Sequence, residues 1–344
     1  MKSLAELRIL IVGQLDYGST SWSREKAFRQ LVREVDTFPI MPWIHGLPLW
    51  KHILTNHLWR GPNIAYINRI ALHRAQEFRP DLVWIEKGVH LSPETIKRLR
   101  KSSGLLVHFS ADNQMISGNQ SPFYMASIPL YDVHVTTKPH NVEWLRAQDA
   151  QRVEQMGKGF DPDLHRPITL TPEEQTAYAC DVGFVGHWEP SRETLLLWLW
   201  QQGYRVKARG GRNWHYAKHR RHPLFAECHQ LMGDDYAKAL CGAKINLCLL
   251  SQWFGDKSTA RSIEIPACGR FMLAERTDEH LSLFQEGLEA EFYSTREEMV
   301  EKINFYLAHD AARETIARAG RARCLADYSN KMRLRDLLTR VLGG

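Results

Sequence analysis

The 344-residue sequence predicts an α/β protein with two successive domains, each built on a parallel sheet. Three observations carry this. Short apolar runs alternate with longer amphipathic stretches through the first half. The alternation breaks at the polar, proline-containing segment Arg166–Tyr178 (RPITLTPEEQTAY), and beyond it the same alternation restarts. The length agrees, since domains hold roughly 100 to 200 residues.

Leu7–Val12 reads as a buried strand, followed by the turn-rich loop GQLDYGS with Gly13 and Gly18, then a helix from Trp22 to Val35. Ile64–Phe78 has helical spacing and ends at Arg79-Pro80. Asp81–Glu86 (DLVWIE) is the next strand. Ser92-Pro93-Glu94 opens a helix with an N-cap and a proline in its first position. Gly104 ends that helix, and Leu105–Phe109 is a third strand. Asp132–Thr136 and Val153–Met156 supply two more, with a helix at Asn141–Ala147 between them. Repeated strand-helix-strand units of this kind are Rossmann-like. After the polar segment come strands at Cys180–Val185, Tyr204–Ala208, Ala243–Leu250 and Phe271–Ala274. Helices are expected at Arg192–Trp200, Asp234–Cys241, Thr259–Ala267, Glu297–Leu307, Ala311–Asp327 and Lys331–Leu342. The expected domains are residues 1–165 and 166–327, with 328–344 as a closing helix.

Hydrophobic residues at 44% and charged residues at 24% exclude a disordered or fibrous chain. Lys plus Arg outnumber Asp plus Glu by 45 to 39, a net +6 that permits an anionic ligand without requiring nucleic acid. With no secretory or membrane-spanning run, the reading is a cytoplasmic protein. The six cysteines lack C-x-x-C pairing and read as reduced, mostly buried thiols; no metal site is expected.

Two segments of the second half suggest chemistry. In VGFVGHWEPSRE a strand ends at Gly186 and a helix begins near Ser191, so Gly186, His187 and Arg192 form a phosphate-holding turn or an ordinary tight β-α connection. In FGDKSTARSIEIPACG, Asp256 and Glu264 stand seven residues apart, with Lys257, Ser258, Thr259 and Arg261 between them. A diphosphate would take the amides of Ser258 and Thr259 with Lys257 and Arg261, while the carboxylates suit vicinal hydroxyls. The alternative is a plain helix start carrying a surface Arg261-Glu264 pair.

In the first half, HFSADN ends an inner strand. His108 is either a sugar ligand or a core histidine bonded to backbone, and Asp112 is placed to orient an acceptor hydroxyl or act as a base. Glu86, Lys87 and Gly88 form another strand-end cluster, or a turn. Gly13 and Gly18 either face a ligand or make a β-α turn. Met41–Arg60 is apolar and basic together, which suits packing against the sheet or contact with a membrane-borne acceptor.

Residues 180–330 resemble the C-terminal half of GT-B-fold glycosyltransferases, in particular the CgeB-like, spore-maturation-type family. The resemblance runs through VGFVGHWEPSRE, YAKALCGAKINLCL and TARSIEIPACGRFMLAERTDEH, and more loosely through RPDLVWIEKG, HFSADN and KGFDPDLHRP in the first half. It implies two Rossmann-like domains facing a cleft, the nucleotide-sugar on the second and the acceptor on the first. It implies retaining transfer without a bound metal, and by position it puts Asp256 on the donor sugar and Glu264 on the ribose. The wider pattern has Glu at the first of these positions. The expected co-substrate is a UDP- or GDP-sugar, with no bound cofactor and no nucleic acid. The acceptor is a protein, polysaccharide, lipid-linked glycan or small metabolite, with peripheral contact at the inner membrane face for a lipid-borne one. A nucleotide-sugar epimerase of the same fold and a catalytically silent sugar-nucleotide-binding scaffold are the alternatives.

Overall fold

The computed structural model describes residues 2–343. It divides into two compact units, one holding the chain up to Gly157 together with residues from Asn330 on, the other Lys158–Ser329. The division therefore falls eight residues before the expected break at 166, and the closing helix returns to the first unit. The polar segment is itself structured in the second unit. Thr171 and Glu174 form a reciprocal capping box at the start of a helix over Pro172–Tyr178, and Glu174 pairs with Lys238 at 2.8 Å.

In the first unit the order is β1 (Arg8–Gly13), α1 (Thr20–Arg29), β2 (Glu34–Pro39), α2 (Met41–Ile44), α3 (Leu49–Asn56), α4 (Pro62–Phe78), β3 (Leu82–Glu86) and α5 (Pro93–Ser102). Then come β4 (Leu105–Ser110), α6 (Pro122–Ser127), β5 (Val133–Thr136), α7 (Pro139–Ala147) and β6 (Val153–Gln155). The six strands pair in parallel in the order β2-β1-β3-β4-β5-β6. β1 and β3 are buried along most of their length, as expected where helices cover both faces of a sheet. Alternate residues serve the two faces. Ile9, Ile11, Trp84 and Phe109 pack with Phe28 of α1, while Leu10, Val12, Val83 and Ile85 pack with Ile67 of α4 and Leu99 of α5.

The second unit runs α8 (Pro172–Tyr178), β7 (Cys180–Val185), α9 (Pro190–Gln201), β8 (Val206–Arg209), α10 (Gly233–Gly242), β9 (Ala243–Cys248), α11 (Arg261–Ala267) and β10 (Met272–Glu275). It ends with α12 (Asp278–Leu283), β11 (Glu291–Tyr293), α13 (Arg296–Ala308) and α14 (Asp310–Asp327). Its sheet order, β11-β10-β9-β7-β8, repeats the order of the first five strands of the other sheet, read from the opposite edge. Finally α15 (Asn330–Gly343) rejoins the first unit and places Leu334, Leu337 and Leu338 against Phe28 and the first sheet.

Two strands escape the sequence reading, and one helix is shorter than expected. The helix predicted to reach Val35 stops at Arg29, and Glu34–Pro39 becomes β2. This edge strand buries only Val35 and Phe38, so it shows no apolar run. β11 has three residues. Five of the six cysteines are buried and all six are free, which agrees with the reduced-thiol reading.

Candidate functional site

In an open parallel sheet, ligands bind beyond the carboxyl ends of the strands, at the point where strand order reverses. That point lies between β1 and β3 in one sheet and between β7 and β9 in the other. Each unit has a cavity at its strand ends.

The cavity of the second unit has a volume of about 520 Å³ and is lined by the ends of β9, β10 and β11 and the first turn of α9. Arg192, only 4% exposed, is held by the carbonyls of His187 (2.9 Å) and Leu249 (3.2 Å) and by Glu189 (3.3 Å). Glu189 also accepts from the amide of Gln252 at 3.0 Å, tying the loop after β9 to the start of α9. The Arg192 Nε is buried with no hydrogen-bond partner, and so is the Nε of Arg261. Burial pulls the Arg192 guanidinium below its ordinary pKa, and the charge of Arg261 adds to the effect against Glu189. Desolvation lowers His187 as well, followed by the charges of Arg261 and Arg192. Three groups that can carry positive charge therefore stand close enough to destabilise one another, the situation an anionic ligand relieves.

Asp256 and Lys257 line the same cavity. So do Glu275 and Arg276 at the end of β10 and Ser294 and Arg296 after β11, none of which the sequence reading named; β11, three residues long, was itself not foreseen. Burial raises the Glu275 carboxyl although it accepts from the Leu250 amide at 2.9 Å. Arg276 is committed to Glu286 (2.5 Å) and Glu298 (2.6 Å), both carboxylates of its own unit.

Other expected residues fall elsewhere. Gly186 does not open its backbone to a ligand: its N–H donates to Arg209 (2.9 Å), its carbonyl accepts from Trp214 (2.9 Å), and a Cβ would meet Phe184 at 2.6 Å. The Thr259 amide donates to Ser262 Oγ at 2.9 Å, so it is not available to a diphosphate, and α11 begins at Arg261 rather than Thr259. The Ser258 hydroxyl accepts from Lys158 at 2.7 Å. Glu264 is nearly buried, accepts from the Tyr236 hydroxyl at 2.5 Å and lies 3.6 Å from His165, outside the cavity lining.

The cavity of the first unit is about 440 Å³, lined at the ends of β1, β3 and β4 by Gln14, Lys87 and Asp112 among others. Lys87 and Asp112 pair at 2.8 Å. His108 takes the core alternative. It has no exposed surface, its Nε2 donates to the Lys87 carbonyl (3.0 Å), its Nδ1 faces His134 Nδ1 (3.1 Å), and burial pushes its pKa well down. It therefore presents no surface to the cavity and supports the Lys87 turn. Glu86 also turns inward, bound by both Arg24 Nε (2.9 Å) and Nη2 (2.7 Å). Gly13 is required by packing, since a Cβ there would stand 2.4 Å from Glu86 Cβ. Gly18 adopts φ +74° in the turn before Ser19, which caps α1 through the Trp22 amide. Among the described residues no helix is long and apolar enough to cross a membrane.

Residues 192–339 match the model of a family described as Glycosyl transferase-like. No curated protein matches the sequence. Among solved structures, the sucrose-phosphate synthase of Thermosynechococcus elongatus is 12% identical with a TM-score of 0.68, over 98% of this chain and 100% of that one. HepE of Anabaena in complex with UDP-glucose is 13% identical, TM-score 0.63, with the same coverage. The α,α-trehalose 6-phosphate synthase of Burkholderia multivorans is 12% identical, TM-score 0.60, over 98% and 97% of the two chains. The chain has the fold of the GT-B glycosyltransferases, two Rossmann-like α/β domains with parallel sheets.

Proposed function

We propose that the protein is a glycosyltransferase that moves a sugar from a nucleoside diphosphate to an acceptor hydroxyl. The observation that carries this is the grouping of Arg192, which lines the second unit's cavity, with Arg261 and His187, both arginines having a buried, unpartnered Nε. The family match, which takes in Arg192 and Arg261, supports it. So does the fold shared with HepE, whose structures are complexes with UDP and with UDP-glucose.

In the proposed reaction the sugar C1–O bond to the diphosphate breaks, the acceptor oxygen bonds to C1, and the hydroxyl proton passes to an oxygen of the departing diphosphate. Arg192, Arg261, His187 and Lys257 take the negative charge that develops on the departing diphosphate, the group whose stabilisation most accelerates such a transfer. Asp256 contacts the sugar and Glu264 the ribose. UDP is the first candidate nucleotide and GDP the second. The CgeB-like family, retention of configuration, metal independence and a cytoplasmic location belong to the proposal. So does peripheral membrane contact through α3, where Leu49, Trp50 and Ile53 are exposed beside Lys51.

Calorimetric titration with UDP and GDP, with and without magnesium, tests the reading. One of them binds without metal, and Arg192→Met weakens it by about tenfold or more, the value of one charge-assisted hydrogen bond. Failure of both nucleotides to bind would overturn it. Donor conversion without any acceptor would point to the epimerase, and tight binding without turnover to the scaffold.

A further inference from the structure

Between Cys248, the last residue of β9, and Arg261, the first of α11, the chain forms neither helix nor strand. This stretch carries Asp256 and Lys257, which line the second unit's cavity. With no ladder or helical turn to hold it, its backbone is placed by the groups that bond to it.

Two of those groups come from the start of α12. Thr277 Oγ1 donates to the Lys257 carbonyl at 2.6 Å and accepts the His280 amide at 3.1 Å, so one hydroxyl both caps the helix and ties down Lys257. His280 makes the second tie. Its ring has no exposed surface and stacks on Phe292 at 5.5 Å, with 3° between the planes. Nδ1 lies 2.6 Å from the Glu275 carbonyl, which can only accept, so Nδ1 carries a proton. In the neutral ring Nε2 is then bare, and it accepts from Ser262 Oγ at 2.8 Å. With its only hydrogen directed to His280, Ser262 Oγ accepts the Thr259 amide at 2.9 Å. A protonated ring keeps the tie with its direction reversed: Nε2 donates to Oγ, which turns its hydrogen to Cys248 Sγ at 3.5 Å. Between the two ties, Ser258 accepts from Lys158 at 2.7 Å. Glu275 completes the frame, since its carboxylate accepts the Leu250 amide at 2.9 Å just past β9.

For stability alone, an apolar side chain of the same shape serves about as well as a buried, paired histidine, because the net gain from a hydrogen bond is small. What His280 adds is direction. It holds the end of β10 at a fixed distance from the segment that carries Lys257 and Arg261.

We propose that Thr277 and His280 are positioning residues for the donor: they fix residues 257–262, so that the charges of Lys257 and Arg261 stand where the diphosphate takes them. A displacement of about 1 Å is enough to cost a site much of its effect. The use of the ties for a diphosphate rests on the glycosyltransferase reading, whereas the ties themselves do not.

Two measurements on the full chain test this: amide hydrogen exchange without ligand, and calorimetric titration with UDP and GDP. Thr277→Val removes the first tie and Thr277→Ser keeps it. His280→Asn keeps a donor for the Glu275 carbonyl and loses Ser262, whereas His280→Gln keeps a polar group for Ser262. In Thr277→Val and His280→Asn, exchange within residues 251–262 speeds up by about tenfold while β7 and β9 stay protected, and nucleotide binding weakens by about tenfold, the effect of one hydrogen bond. Thr277→Ser and His280→Gln restore most of both. Unchanged exchange, or acceleration throughout the second unit, overturns the ties. Faster exchange confined to 251–262 with unchanged nucleotide affinity overturns the positioning role, and so do conservative variants no better than the others. If the buried His280→Asn does not fold, the pair of variants at the half-buried Thr277 carries the test. An unsubstituted chain that binds neither nucleotide refutes the donor reading, and exchange still decides the ties.

Discussion

Replacing Glu86 with alanine leaves Arg24 buried without its countercharge. In the structure the two side chains are 4% and 7% exposed. Glu86 accepts three hydrogen bonds: from Arg24 Nε at 2.9 Å, from Arg24 Nη2 at 2.7 Å, and from Trp84 Nε1 at 2.9 Å. Among the described residues, Arg24 then keeps a long contact to Ser21 Oγ (3.4 Å) and its place over the Phe109 ring, 4.0 Å from the centroid. Breaking a buried pair by removing one partner costs about 3–5 kcal/mol, because the remaining charge stays in a low-dielectric site. In a domain of this size that corresponds to roughly 10 °C in melting temperature. Scanning calorimetry of Glu86→Ala reads the loss. The double variant Arg24→Met with Glu86→Leu recovers most of it, since apolar side chains of similar volume replace such pairs at little cost. A loss below about 1 kcal/mol for the single variant would mean that Arg24 reaches water and the pair is worth no more than a surface bridge. That result would return Glu86 to the list of groups available to a ligand.

Acidification destabilises the first unit, because burial lowers His90 and His134 to about 4 from 6.5. The unfolded chain binds protons at these rings below pH 6.5 and the folded chain does not, so stability is full above 6.5 and falls toward pH 4. The loss is at most about 3 kcal/mol per ring, and denaturant unfolding at pH 7 and pH 4.5 measures it; equal stability would refute the assignment. Gly186→Ala forces a Cβ against Phe184 and costs about 1–3 kcal/mol in thermal unfolding; an unchanged melting temperature would show that the ring yields freely. Glu264→Ala weakens UDP binding about tenfold if the carboxylate meets the ribose. Unchanged affinity in titration would leave Glu264 as the structural partner of Tyr236 and His165. Leu49→Ser with Trp50→Ser reduces co-flotation with anionic vesicles, and equal flotation removes α3 from membrane contact.

Much of this protein was legible in one dimension. The strands buried on both faces, β1, β3, β4, β7 and β9, announce themselves as apolar runs, because a strand covered by helices on both sides has no polar face to interrupt it. The helix start at Ser92 follows from a short polar side chain that accepts the N3 amide. Arg192 in the first turn of a helix, Asp256 and Lys257 in the segment FGDKSTARSIEIPACG and Asp112 at a strand end could be picked out, and each lines a cavity.

Tertiary structure decided the rest. Whether His108 or Glu86 faces a ligand or the core depends on side-chain direction at a strand end, and both turn inward to partners, Lys87 and Arg24, far away in sequence. Gly13 and Gly186 look like openings for a ligand but are small because Glu86 and Phe184 occupy the space. β2 and β11 pair at sheet edges, where hydrogen bonding to a neighbour, rather than burial of an apolar run, makes the strand. The unpartnered polar atoms of His90, Gln114 and Tyr124 exist only once the segment after β3, the segment after β4 and α6 have come together. A sequence records which groups can form hydrogen bonds, and only the folded chain determines which of them are left for a ligand.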